Sequence, residues 1–195
     1  MGIDKNKLGA TLFHGDWQSG IPRDEESFMI LQTLGIQHIK EIWFDDQGES
    51  DNFWTPWPIG PCGPCVEFYY DRGDDYRPPD RDMWVNDRYT EVWNNVMMSY
   101  YQQQNDNQST FSALAQKNVD TGMWLERLCM IVQETETIFE TDIFSYSREV
   151  IAAYTDTQYK DFLQSYRIIL DHMRAAIFLV CDGVIPSNEW RWYVL

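Results

Sequence analysis

Apolar residues fall in short runs between turn signals up to about residue 120, and at helical spacing beyond it. Leu8–Phe13 predicts a short strand. Arg23–Leu34 predicts a helix with acidic residues at its start and Gly35 as its C-terminal stop. Ile39–Phe44 predicts a second strand. Residues 46–64 are rich in Gly and Pro and predict turns. Strands follow at Cys65–Tyr70 and Tyr89–Tyr101, separated by an acidic, proline-bearing loop over 72–87. In the second of these strands, Val92, Asn94, Val96 and Met98 share one face; Trp93, Asn95 and Met97 share the other. Residues 102–110 predict a polar hairpin tip, and 116–120 a returning strand.

Past that strand the period changes. Trp124, Leu128 and Ile131 predict the buried face of a helix over 121–134, with Asp120 and Thr121 as good N-caps. Helices also follow over 142–154 and 160–181. The last presents Phe162, Tyr166, Ile169, Leu170, Met173, Ile177 and Val180 as one stripe, and Gly183 closes it. Strands first and helices last predict an α+β fold: residues 1–137 around an antiparallel sheet, residues 138–195 helical.

Composition narrows the function classes. Hydrophobic residues are 44% of the 195, which supports a packed core and argues against disorder. No apolar run reaches a membrane span, and the first residues lack a secretory signal, so a cytoplasmic protein without membrane contact is expected. The formal charge of −16 is the wrong sign for a chain that binds nucleic acid mainly through phosphates. Cys62 and Cys65 form one C-x-x-C, but Cys129, Cys181 and the three histidines supply no second ligand pair. No structural metal is therefore expected. A metal or redox protein built on Cys62 and Cys65 would need support found nowhere else in the chain.

Five blocks stand in order: Asn52-Phe53-Trp54 with Gly60-Pro-Cys-Gly-Pro-Cys-Val-Glu67; Glu91-Val-Trp-Asn-Asn-Val-Met-Met98; Asn118-Val-Asp-Thr-Gly-Met-Trp-Leu-Glu-Arg-Leu128; Ser165-Tyr-Arg-Ile-Ile-Leu-Asp-His-Met-Arg174; and Asp182-Gly-Val-Ile-Pro-Ser-Asn-Glu189. Together they resemble the alanyl-tRNA synthetases, class II aminoacyl-tRNA synthetases, over nearly the whole chain. The resemblance implies the rear half of the catalytic domain, followed by the start of a helical tRNA-recognition region. It implies alanine, ATP with Mg2+ and the acceptor stem of tRNA(Ala) as partners. It leaves the oligomeric state open.

By the same resemblance, Asp120 binds the ammonium of alanine, Trp93 walls the small pocket and Gly122 lets the ligand approach the backbone. Arg127 contacts ATP, and Asn188 helps read the acceptor stem. Each residue also has a plainer reading. Asp120 is a helix cap, Trp93 is core, Arg127 pairs with Glu126 or Glu134, and Asn188 is a turn residue.

The chain departs from the family in two ways. The class II motifs 1 and 2, including the arginine that serves the α-phosphate and the alanine carboxylate, are not among these residues. No residue is therefore assigned a catalytic role. The chain reads as an internal fragment, inactive in adenylate formation alone; the alternative is a standalone, non-catalytic binding module. Tryptophan also stands where the family has glycine, at Trp57, Trp124, Trp190 and Trp192. Trp17, Trp43 and Trp84 are weaker cases, whereas Trp54 and Trp93 match family tryptophans. Four such changes point to a UGA codon read as glycine in the source and translated here as tryptophan.

Overall fold

In a computed structural model, residues 2–44, 50–76, 88–105 and 108–187 are described. The chain divides into two compact units, Met1–Val132 and Gln133–Leu195.

The first unit is built on a sheet ordered β2-β1-β4-β5-β6. Its elements are β1 (Leu8–Phe13), α1 (Glu25–Leu34), β2 (His38–Ile42), β3 (Phe53–Trp54), β4 (Gly60–Asp71), β5 (Tyr89–Asn105), β6 (Gln108–Met123) and α2 (Leu125–Val132). The sheet is not wholly antiparallel. β1 and β2 run parallel across the α1 crossover, and every other pairing is antiparallel. β3 adds a two-residue pairing, with Phe53 opposite Pro64 and Trp54 opposite Gly63. β2 and β6 are the two edge strands.

Alternation sorts the two faces. Ala10, Leu12 and Val66 point to one face and pack with Leu31 of α1 and Ile36. Phe13 and Cys62 point to the other, under Ile21 and Phe53. α1 starts where the sequence offers a cap: Asp24 accepts from the Ser27 N–H, and Glu25 and Glu26 occupy the positive end of the helix. It ends at Gly35, held at φ 81°.

The turn signals over 46–64 overshoot. Residues 60–64 belong to β4, which slips register against β5 between Cys62 and Cys65. Gly63 sits at that slip, and a Cβ there would overlap the carbonyl oxygen of Met97 and lie 2.9 Å from the Ser99 nitrogen. The glycine therefore permits a close approach of strands rather than a turn. Most of the expected loop over 72–87 lies outside the described residues; of the expected tip over 102–110 only 106–107 do, and 102–105 and 108–110 instead extend β5 and β6, because the ladder between them continues to Asn105 and Gln108.

Near the start of α1, Arg23 donates to Glu41 through Nε (3.0 Å) and Nη2 (2.8 Å), and His14 also bonds that carboxylate. The Arg23 hydrogen bonds hold Glu41 down at about 2, against 4.5 for a free glutamate. Its contribution to stability is whole above pH 4.5 and lost as pH falls towards 2. The gap in stability between the protein and Glu41→Gln should therefore shrink over that interval in acid-unfolding curves. A constant gap would show the ion pair to be inert.

The second unit contains α3 (Ser145–Thr155) and α4 (Leu163–Cys181). Phe144, Ile151, Tyr166 and Leu170 form its core, with Met173 half-buried beside them. The predicted stripe on α4 is only partly buried. Phe162, Ile169, Ile177 and Val180 are each more than a third exposed, because the core packed against α4 ends at Met173. Gly183 closes α4 at φ 87°, its N–H bonded to the carbonyl of Val180.

Candidate amino-acid site on the β4–β5–β6 face

The structure corrects the reading of Asp120 and Thr121 as helix caps. β6 continues through both residues: Val96 pairs with Asp120, Asn95 with Thr121, Asn94 with Gly122 and Trp93 with Met123. The Trp124 N–H still bonds the Val92 carbonyl, and only then does the Leu128 N–H close the first helical turn on Trp124. Ladder partners on β5 thus outcompete the local cap, and the helix is 125–132 rather than 121–134. Trp124 is half-exposed rather than a core anchor; Met130 and Ile131 are the buried residues of α2.

Register sets which side chains can meet. Directly paired residues of antiparallel strands share a face. Asp120, Gly122, Asn94, Val96 and Glu67 therefore line one face of the sheet. Asp120 is exposed, and its carboxylate has no hydrogen-bond or ion-pair partner among the described residues. Next to it, a Cβ built on Gly122 would meet nothing within 4 Å. A small ligand thus has room above the backbone at Gly122, on the face that also carries the free Asp120 carboxylate. Asn94 and Val96 were not singled out from the motifs as site residues. The signal was their place on the strand face opposite that of Trp93.

Trp93 is not brought together with Asp120 and Gly122. It lies on the opposite face, tilted against Phe68 at 5.9 Å. Its indole N–H donates to Thr121 Oγ1 at 2.5 Å, and the Thr121 hydroxyl lies 2.7 Å from Asn95 Oδ1. Trp93 braces the back of the strand that carries Asp120.

Arg127 pairs with neither Glu126 nor Glu134. Its Nη1 donates to the Glu91 carbonyl at 2.9 Å and to the Glu91 carboxylate at 3.2 Å, and its guanidinium lies 4.5 Å from the Trp124 ring. Cys62 and Cys65 are both buried free thiols. Cys62 belongs to the aromatic cluster, whereas Cys65 lies 3.2 Å from the Asp51 carbonyl; burial pushes the Cys62 thiol up to about 11. Among the described residues, no cluster of three or more His, Cys, Asp or Glu is placed to hold a metal. No described helix is long and apolar enough to cross a membrane. Asn188, Trp190 and Trp192 lie outside the described residues. Trp17, Trp57, Trp43 and Trp124 are 86%, 70%, 60% and 49% exposed, and none has a positive φ, so the backbone there accepts glycine and tryptophan alike.

The family described as tRNA synthetases class II (A) matches residues 1–195. The chain belongs to that family. Its relatives include the alanine–tRNA ligase of Ruegeria sp. (strain TM1040), 38% identical across 99% of this chain and 21% of the relative. The alanine–tRNA ligase of Clostridioides difficile (strain 630) is 40% identical across 92% and 20%. Alanine–tRNA ligase 1 of Lachnoclostridium phytofermentans is 44% identical across 76% and 17%. The chain thus spans about a fifth of the length of the curated relatives it matches. The mixed sheet with helices that bears Asp120, Gly122 and Arg127 is accordingly part of a class II synthetase fold.

Proposed function

We propose that this chain carries the amino-acid half of an alanine–tRNA ligase site. The complete reaction would activate alanine with ATP to alanyl-adenylate, releasing pyrophosphate, and pass alanine to the 3′ end of tRNA(Ala). The observation that carries this reading is the unpartnered Asp120 carboxylate beside the open space over Gly122. A carboxylate without an internal partner suits a substrate ammonium, since charge-assisted hydrogen bonds are the strong ones. The buried Val96, directly opposite Asp120, suits a small apolar side chain.

Arg127 is held by Glu91 through one terminal nitrogen, which leaves other donors of its fork for nucleotide phosphates. Mg2+ would arrive with the ATP. Residues 138–195 would begin the tRNA-recognition region, with Asn188 at the acceptor stem, and the protein would act in the cytoplasm.

Gly122→Ala tests the reading without disturbing the fold. Because the space is open and φ is not positive, the variant should melt at or slightly above the parent temperature. Its methyl group fills the cradle, so alanine binding measured by NMR titration should fall at least tenfold. Unchanged affinity would sink the assignment. The chain by itself should show no alanine-dependent pyrophosphate exchange, because positioned cations stabilise the phosphoryl transition state and the motif 2 arginine is not among these residues. Exchange above background would overturn that expectation. Peptide sequencing of the protein made by its own cells should find glycine at 57, 124, 190 and 192; UGG codons there would refute the decoding proposal.

A further inference from the structure

The ladder between β5 and β6 reaches one residue past the end of β6. The Trp124 N–H donates to the Val92 carbonyl at 3.0 Å, one step beyond the pairing of Trp93 with Met123. Residue 124 thus stands opposite Val92, and alternation puts its side chain on the face of Asp120 and Gly122. Positions 120, 122 and 124 make one row, and Arg127 follows in the first turn of α2. Residue 124 therefore lies between the proposed amino-acid cradle and the arginine proposed to meet phosphate.

The indole does not lean over the cradle. A Cβ on Gly122 would meet nothing within 4 Å, the Trp124 ring included. The ring leans the other way, where the Arg127 guanidinium lies 4.5 Å from its centre. Residues three apart at the start of a helix share a side. At that distance the negative face of the ring attracts the cation. Glu91 takes Nη1 of the same guanidinium, with its carbonyl at 2.9 Å and its carboxylate at 3.2 Å. Arg127 is thus held on one face by an aromatic ring and at one edge by an anion. A ligand can still reach it, since the Arg127 side chain is 36% exposed.

We infer that Trp124 caps Arg127, so that the residue at 124 sets how strongly this chain holds a polyphosphate. The inference rests on the reading that Arg127 meets the phosphates of ATP. Two effects act together. A phosphate that draws the guanidinium out of its present position forfeits the cation–π contact, and the ring keeps ligand off one face of the cation. Glycine at 124 removes both and leaves the Glu91 contacts in place. The backbone accepts that change, because φ at 124 is not positive and the bond to Val92 is made by the main chain.

The test measures binding of ATP with Mg2+ by titration calorimetry to the parent, Trp124→Gly, Trp124→Phe, Arg127→Ala and the double variant Trp124→Gly/Arg127→Ala. Trp124→Gly should bind roughly fivefold tighter than the parent, the worth of one cation–π contact at a partly exposed site. Trp124→Phe keeps a ring over the cation and should stay within about twofold of the parent. In the Arg127→Ala background the change to glycine should have no effect, because it acts through that guanidinium. Equal or weaker binding by Trp124→Gly would overturn the inference, as would a gain that survives Arg127→Ala. If Arg127→Ala costs Trp124→Gly no affinity, the reading of Arg127 fails as well. Absence of binding by the parent and Trp124→Gly alike refutes both. Should Trp124→Gly not fold, Trp124→Ala takes its place. NMR without ligand gives a second readout: the Arg127 Hε signal should lie upfield in the parent, under the ring current, and move downfield in Trp124→Gly. A signal that stays put would show that ring and cation do not meet in solution, and the inference falls.

Discussion

Asp120→Asn is expected to weaken alanine binding roughly 10- to 100-fold, with no effect on the fold. The magnitude is that of a hydrogen bond between charged partners, about 1.5–3 kcal/mol, converted at tenfold per 1.4 kcal/mol. The fold should be indifferent because Asp120 is exposed on an edge strand and makes no hydrogen bond or ion pair among the described residues. Titration with alanine and lactate separates the two effects. Alanine affinity should drop, lactate affinity should not, and the unfolding midpoint in urea should stay where it was. Equal losses for alanine and lactate would mean that the carboxylate does not meet the ammonium. A lowered midpoint would mean that Asp120 supports the edge of the sheet.

Gly63→Ala should show the opposite pattern. A methyl group at this position overlaps the Met97 carbonyl and crowds the Ser99 nitrogen. Both atoms are backbone of β5, the strand that carries Asn94 and Val96, and neither can move without breaking the ladder with β4 and β6. The expected loss is about 3 kcal/mol or more, at the upper end for overpacking, and it should appear as a lower urea midpoint or as failure to fold. Alanine binding would be lost with the strand. A midpoint equal to the parent's would show that the two strands are not this close in solution. Gly122→Ala and Gly63→Ala therefore make a matched pair. The same added methyl meets open space in one case and the neighbouring backbone in the other.

Much of the fold was legible because local chemistry and tertiary packing agree. β1 falls at Leu8–Phe13, as its apolar run predicted, and α1 ends on Gly35 after a helix that starts from a real cap at Asp24. Misreadings arose where two local signals compete. Gly and Pro around Cys62 look like turn residues, yet a register slip uses glycine and proline too. Asp120 and Thr121 look like caps, yet β5 supplies ladder partners for both. The stripe on α4 was read correctly as apolar, but periodicity does not say how much of it a neighbour covers.

The site divides the same way. The motifs suggested Asp120, Gly122 and Arg127 through the resemblance they carry. They also suggested Trp93, which the strand's alternation carries to the other face, with Thr121 and Phe68. Alternation along β5 already put Asn94 and Val96 on one face, but only its pairing with β6 sets them opposite Gly122 and Asp120.

The sequence by itself determined most of the elements, the family and the residue types of the proposed site, because periodicity, caps and motif spacing are properties of neighbours along the chain. Tertiary structure alone decided which side of the sheet each residue serves and where Arg127 finds its partner. Both depend on strand register, which brings together residues far apart in the chain.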